Sequence, residues 1–70
     1  MYRVKEVDGV FIAQKFVWFN WVGISRFYNY RFSDNKNQIE HCSYTTLEGA
    51  RARIRKDKGI EVNVKYHKEK

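Results

Sequence analysis

Residues 16–24 read Phe16-Val17-Trp18-Phe19-Asn20-Trp21-Val22-Gly23-Ile24 and contain both tryptophans of the chain. Successive side chains of a β-strand point to opposite faces of the sheet, so a strand with one buried face alternates apolar and polar residues. This stretch does not alternate, because its aromatic and aliphatic residues fall on both faces. One helix covers one sheet face and leaves the second open. We therefore expect part of this aromatic surface to be exposed to a partner or held at a subunit interface.

The chain has 70 residues, of which 17% are aromatic. This length predicts a single domain over residues 1–70, and such a small domain buries only about 60% of its unfolded surface. Cys42 is the only cysteine, which excludes an intrachain disulfide. Bulky side chains must then supply the core. We expect either Trp18 or Trp21 to lie in the core, and the other to lie at the edge of a binding or dimer surface.

The pattern of apolar residues predicts an α+β fold, a mainly antiparallel sheet with one amphipathic helix on one face, in the order β-β-β-β-α-β. Asp8-Gly9 is a strong signal for a two-residue hairpin turn, and the polar cluster at 33–37 predicts a second turn. A charged tail at 67–70 is expected to fray. The predicted strands cover residues 2–7, 10–17, 21–32, 38–43 and 60–66.

The helix is predicted at residues 46–58. Thr45-Thr46-Leu47-Glu48 fits a capping box, in which Thr45 accepts a hydrogen bond from the amide of Glu48. Leu47, Ala50 and Ile54 then follow on one stripe of the helix. Gly59 provides a stop signal.

The formal net charge is +6, and the positive charge is concentrated in residues 45–70, which hold eight basic and four acidic side chains. A basic surface attracts nucleic acids, acidic proteins and anionic lipids alike. The sequence shows no apolar run long enough to span a membrane and no secretory signal at its start. We therefore expect a cytoplasmic protein without a membrane partner.

No arrangement of residues predicts catalysis. The acidic residues are scattered, so no pair is available for acid–base chemistry. His41 and Cys42 are adjacent on a predicted strand and would point to opposite faces, and the two histidines and one cysteine do not have the spacing of a metal site. We expect no enzyme activity, no metal and no cofactor, and we interpret Cys42 as a small, partly buried apolar residue.

Two stretches resemble parts of nucleic-acid-binding domains, and we reject the first as homology. Lys15-Phe16-Val17-Trp18-Phe19-Asn20 resembles the first nucleic-acid-binding strand of cold-shock domains, but the other segments of that family are absent and a capped helix replaces its all-β plan. Trp21-Val22-Gly23-Ile24, followed by Tyr44-Thr45-Thr46-Leu47-Glu48-Gly49-Ala50, is similar to small three-strand-plus-helix DNA-binding domains of the integrase arm-binding and AP2 types, over about residues 18–58. It is also similar to small phage proteins. The resemblance implies a sheet that contacts the major groove.

Our first hypothesis is a small basic nucleic-acid-binding module of the phage or mobile-element type, with DNA favoured over RNA. Rings would stack on bases and basic side chains would hold phosphates. The predicted contacts are Trp21, Tyr28, Arg26, Arg31, Arg51, Arg53, Arg55 and Lys56. The alternative for the helix charges is a solvated face whose long side chains cover the core edge.

The second hypothesis is a protein-interaction module that inhibits or adapts an acidic host protein, since aromatic and arginine residues anchor many interfaces. The third is a homodimer whose sheet is completed across two chains. Contiguous exposed rings beside arginines would favour nucleic acid. Exposed rings away from arginines would favour a protein partner.

Overall fold

The computed structural model describes residues 1–27 and 30–62. Four strands follow one another along the sheet in chain order, every pairing is antiparallel, and a fifth short strand pairs with β2. The elements are β1 (Tyr2–Val7), β2 (Val10–Val17), β3 (Asn20–Ile24), β4 (Arg31–Phe32), α1 (Asn35–Cys42), β5 (Ser43–Tyr44) and α2 (Leu47–Val62). The predicted α+β class and antiparallel sheet are confirmed, and the first six elements occur in the predicted order β-β-β-β-α-β.

The helix α1 occupies most of the segment that was predicted as a strand at 38–43, so that prediction is wrong. The side chain of Asp34 caps the helix by accepting a hydrogen bond of 3.0 Å from the amide of Asn37. The hydrogen bonds that the side chain and then the backbone amide of Asn37 donate to Asp34 lower the pKa of the Asp34 carboxyl. At the other end Arg26 donates to the carbonyls of Glu40 and Ser43, each at 3.0 Å. Satisfied helix ends outweigh the weak strand pattern of this segment.

The helix predicted at 46–58 is α2, and its boundaries differ at both ends. Thr46, not Thr45, provides the cap, because its hydroxyl accepts from the amide of Gly49 at 3.0 Å. The helix continues through Gly59 to Val62. A glycine inside a helix costs only about 1 kcal/mol relative to alanine, which is too little to end it here. Residues 60–62 of the predicted last strand are therefore helical, and residues 63–66 and the tail at 67–70 lie outside the described residues.

The two helices pack on opposite faces of the sheet. Ala50 and Ile54 of α2 meet Ala13 and Ile24 of the sheet, with partly buried residues around them, namely Tyr2, Val4, Phe11 and Tyr44. On the other face α1 approaches Gly23 closely, since a Cβ at this glycine would lie 2.7 Å from Cγ of Gln38 and 2.9 Å from Sγ of Cys42. Gly23 is needed because α1 could not otherwise lie against β3.

The core of the described residues is built from aliphatic side chains and one cysteine, without a fully buried aromatic ring. The buried hydrophobic residues are Ile12, Ala13, Ile24, Cys42, Ala50 and Ile54. Neither tryptophan is among them, so the expectation of a tryptophan in the core is wrong: Trp18 lies in a turn, beyond the strand residues that the helices cover. Cys42 is fully buried, and this desolvation raises the pKa of its thiol to about 11.

A buried carboxylate ties α2 to the sheet. Asp57 is only 3% exposed, and it accepts hydrogen bonds from the Tyr2 hydroxyl at 2.6 Å and from Nη2 of Arg31 at 2.9 Å. Nζ of Lys15 and Nη1 of Arg53 each lie 4.0 Å from its oxygens. A buried charge is tolerated only with such partners. The contact places the last turns of α2 beside the start of β1 and the end of β2.

Candidate functional site

Two aromatic residues form the turn between β2 and β3. Val17 pairs with Asn20, so Trp18 and Phe19 are the two residues of the loop. Their φ angles are +52° and +67°. Positive φ at both central residues is typical of a type I′ turn, which favours Asn-Gly or Asp-Gly. Asp8-Gly9, the two-residue turn between β1 and β2, has this preferred sequence and positive φ at both residues.

This backbone conformation is unfavourable for large side chains. The left-handed region costs an L-residue other than glycine about 1–2 kcal/mol. Burial does not offset that cost, because the side chains of Trp18 and Phe19 are 87% and 88% exposed. Strained residues of this kind cluster at functional sites. We therefore take this turn as the centre of the candidate site.

Two more rings lie directly below the turn. Phe16 and Trp21 are opposite each other on β2 and β3, with ring centroids 5.2 Å apart in an edge-to-face arrangement. Phe16 is 40% exposed and Trp21 is partly buried. The guanidinium of Arg3 stacks on the Trp21 ring, 4.0 Å from its centroid. We call Arg3, Phe16, Trp18, Phe19 and Trp21 the aromatic tip.

A buried chain of amides holds Arg3 in place. Nε of Arg3 donates to Oε1 of Gln14 at 2.7 Å, and Nε2 of Gln14 donates to Oε1 of Gln38 at 2.6 Å. Gln38 in turn donates to the backbone carbonyl of Ser33 at 3.2 Å. The charged group on the tip is therefore oriented by the packing of α1 against the sheet.

Positive charge also reaches the base of the tip from the opposite face of the sheet. Nζ of Lys15 lies 5.5 Å from the centroid of the Tyr2 ring, and Nζ of Lys58 lies 5.3 Å from it. Tyr2 is paired with Lys15, the residue before Phe16. The tip thus has Arg3 on the α1 face and two lysines on the α2 face.

Three of the arginines predicted as phosphate contacts make contacts within the fold. Arg26 binds the carbonyls at the end of α1, and Arg31 binds Asp57. Arg53 is 7% exposed and its Nε donates to the backbone carbonyl of Ser25 at 2.9 Å. Their charges stabilise the described structure, which the sequence pattern did not indicate.

The other predicted residues are divided between the tip and the solvent face of α2. Trp21 belongs to the aromatic tip. The exposed basic residues of α2 include Arg51, Arg55 and Lys56, and Nη1 of Arg51 lies 3.5 Å from a carboxylate oxygen of Glu48. Tyr28 lies outside the described residues, so its prediction is not tested.

Sequence reasoning missed Arg3 and the role of Trp18-Phe19 as the turn itself. The signal is the spacing, since exactly two residues separate segments that pair as strands. A second pair of exposed rings, Phe27 and Tyr30, follows β3 at the end away from the tip, with exposures of 78% and 65%. Phe27 has no positive φ.

Among the described residues no cavity is found, and no group of three His, Cys, Asp or Glu side chains is placed to hold a metal ion. Neither α1 nor the described part of α2 has the length and apolar character needed to cross a bilayer. Comparison with protein-family models, with curated proteins and with solved structures found no match to this chain.

Proposed function

We propose that this protein is a small, basic, non-enzymatic nucleic-acid-binding module that works in the cytoplasm and uses the aromatic tip to stack on bases. The observation that carries the proposal is that four aromatic rings lie next to one another and to an arginine. Two of the rings form the turn, two lie directly below it, and the Arg3 guanidinium is 4.0 Å from the centroid of the Trp21 ring. Base–aromatic stacking contributes about 1–3 kcal/mol per base. An arginine that lies on a ring adds a positive charge that attracts the phosphate backbone of the nucleic acid.

Charge around the tip supports the same ligand. Arg3 on one face and Lys15 and Lys58 on the other bracket the rings with positive groups. Arg55 and Lys56 add exposed positive charge to α2, on sides of the helix other than the one on which Asp57 contacts Tyr2. In this proposal the cations hold phosphates and the rings stack on bases.

DNA as the ligand, and a phage or mobile-element role, rest on the resemblance to integrase arm-binding and AP2-type domains. The proposed contact differs from theirs in one respect. Those domains lay a sheet face in the major groove, whereas α1 and α2 here cover opposite faces of the sheet. The hairpin tip is a part of the sheet that neither helix covers, and in this proposal it takes the place of the sheet face.

A protein partner is the second candidate, favoured by the exposure of Trp18 and Phe19. Large aromatic residues at a protruding turn are typical anchors for a pocket on another protein. The ligand would then be an acidic host protein that this chain inhibits or adapts, and a homodimer could present two tips. Capture of one defined partner from nuclease-treated lysate, lost in Trp18→Ala, would favour this candidate over nucleic acid.

The test of the first candidate is a titration of labelled DNA oligonucleotides by fluorescence anisotropy at increasing salt. Counterion release predicts that log K falls linearly with log salt, with a slope of about −0.7 to −0.9 per phosphate contact. Arg55→Ala and Lys56→Ala should each flatten this slope by about one contact or less. Binding that is absent at low salt, or unchanged by salt, would contradict the proposal.

A further inference from the structure

We propose that the ligand of the aromatic tip is a stretch of unpaired nucleotides, in a single strand or at a frayed duplex end, and not the interior of a duplex. This inference rests on the proposed nucleic-acid-binding function and names the class of nucleic acid. It follows from the ring faces, from the width of the hairpin and from the position of the charges.

The rings of the turn offer open faces that need open bases. Trp18 and Phe19 are almost fully exposed, so each ring has a face free for one base. Inside a duplex the faces of every base are already stacked, and separating a base step costs a few kcal/mol. Stacking of one base on a ring contributes about 1–3 kcal/mol, which is no more than that cost. Net stabilisation is therefore expected where the bases are already unstacked.

The hairpin does not match either groove of a duplex. Proteins that wedge apolar side chains between base steps approach through the minor groove, which is about 6 Å wide. Strands β2 and β3 form a two-stranded ribbon up to the turn, and two strands about 4.8 Å apart with their side chains exceed that width. The major groove admits such a ribbon, but base edges there are read by polar side chains, which Trp18 and Phe19 largely lack.

The reach of the tip is also short. Tyr2 pairs with Lys15, and the amide of Phe16 donates to the carbonyl of Met1 at 2.9 Å. The hairpin of β2 and β3 extends past the start of β1 only by residues 17–20. This is a projection of roughly 7–10 Å at about 3.3 Å per residue. That projection is close to the depth of either groove of a duplex, about 7.5–8.5 Å, so the backbone of the turn stays outside the base stack. A flexible single strand can instead fold over the tip.

Charge is placed where the backbone of such a strand would pass. Arg3 on the α1 face and Lys15 and Lys58 on the α2 face lie on both sides of the rings. A strand that crosses the turn would have phosphates near cations before and after the stacked bases. This is the combination of basic groove and stacking rings by which single strands are bound without sequence preference.

The test compares three ligands at one low salt concentration: a single strand of about 12 nucleotides, the blunt duplex of the same sequence, and that duplex with a short 3′ overhang. We expect the single strand to bind about tenfold or more tightly than the blunt duplex, and the overhang to restore much of the difference. Trp18→Ala should weaken single-strand binding by about 5- to 100-fold, while Trp18→Phe keeps most of it.

Phe27→Ala is the matched control, because it removes a ring of similar exposure at the far end of β3. It should change the affinity by less than about twofold, and circular dichroism should show that every variant is folded. A titration with single-stranded RNA of the same sequence shows whether the tip prefers unpaired nucleotides of DNA or of RNA. In the Trp21→Phe variant Trp18 is the only tryptophan, so quenching of its fluorescence by the bound strand reports contact at the turn directly.

Four outcomes would overturn the inference. A blunt duplex that binds as tightly as the single strand would leave the proposed function standing and remove the preference for unpaired nucleotides. A Phe27→Ala effect as large as that of Trp18→Ala would move the stacking site to the other end of β3. Failure to bind any oligonucleotide would overturn the proposed function as well, and a blue shift of Trp18 with anionic vesicles alone would assign the tip to a lipid surface.

Discussion

The Tyr2 hydroxyl donates a hydrogen bond of 2.6 Å to Oδ2 of Asp57, which joins two residues 55 positions apart. Arg31 binds the other oxygen of the same carboxylate at 2.9 Å. The first strand, the edge strand β4 and the second helix therefore meet at one buried group. Because Tyr2 pairs with Lys15, the residue before Phe16, this contact also supports the base of the aromatic tip.

Removal of the Tyr2 hydroxyl tests that contact. Tyr2→Phe keeps the ring and deletes a hydrogen bond to a charged group, which should lower the free energy of unfolding by about 1.5–3 kcal/mol in urea titrations followed by circular dichroism. Tyr44→Phe is the control, since the Tyr44 hydroxyl makes no hydrogen bond within the described residues, and its effect should stay below about 0.5 kcal/mol. Equal effects of the two variants would mean that the Asp57 contact contributes nothing specific.

Alkaline pH should destabilise the fold as Cys42, Tyr2 and Tyr44 lose their protons, because burial raises the pKa of each of these groups. Burial raises the pKa of the Cys42 thiol from 9.0 to about 11, so its contribution is complete below pH 9 and is lost as pH rises to 11. Desolvation, and then the hydrogen bond to Asp57, raise the pKa of Tyr2 from 10.0 to about 12, so its contribution is lost between pH 10 and 12.

Substitutions separate these contributions in urea titrations across that range. Cys42→Ala should flatten the loss of stability above pH 9, and Tyr2→Phe should flatten it only above pH 10. Contributions from groups that a substitution does not touch are common to the parent and the variant and cancel in the comparison. Parallel curves for Cys42→Ala and the parent protein would show that the thiol is not desolvated in the folded state.

Replacement of the aromatic turn by a favourable one should stabilise the fold and weaken binding. Trp18→Asn with Phe19→Gly supplies the residues that a type I′ turn prefers, and we expect the free energy of unfolding to rise by about 1–3 kcal/mol. The affinity for single-stranded DNA should fall to the value that the basic side chains provide without the rings. A gain in stability with a loss of function is the pattern of a site kept for activity.

The other hairpin turn provides the control for this double variant. Asp8→Asn keeps a sequence suited to positive φ, so it should change stability by less than about 0.5 kcal/mol and leave binding unchanged. A destabilised Trp18→Asn, Phe19→Gly variant would instead show that the exposed rings contribute more packing than their backbone conformation costs.

A methyl group on Gly23 should push α1 away from the sheet. Gly23→Ala places a Cβ 2.7 Å from Cγ of Gln38 and 2.9 Å from Sγ of Cys42, so we expect a loss of about 1–3 kcal/mol. Because Gln38 holds Gln14 and thereby Arg3, binding at the tip should weaken too. In a double-mutant cycle Cys42→Ala should recover part of the loss, and strict additivity would argue against the contact.

Local sequence signals determined much of the architecture. Asp8-Gly9 and the alternation around it predict the first hairpin, and Thr45-Thr46 with the stripe of Leu47, Ala50 and Ile54 predicts α2, although the cap is Thr46 and not Thr45. These signals suffice because the turn and the cap are satisfied by neighbours in sequence, and the stripe is visible as a periodicity before its partners in the sheet are known. The same reasoning predicted an excess of aromatic surface around residues 16–24 that the core would not absorb completely.

Only the tertiary structure decided how that surface is used. The register that pairs Phe16 with Trp21 puts Ala13 and Ile24 in the core, and a shift by one residue would turn every side chain to the other face. That long-range constraint forces Trp18 and Phe19 into a turn that their own preferences disfavour. It likewise gave Arg26 and Arg31 partners far along the chain. Sequence patterns report preferences of neighbours, whereas register and buried charge pairing depend on residues that meet only after folding.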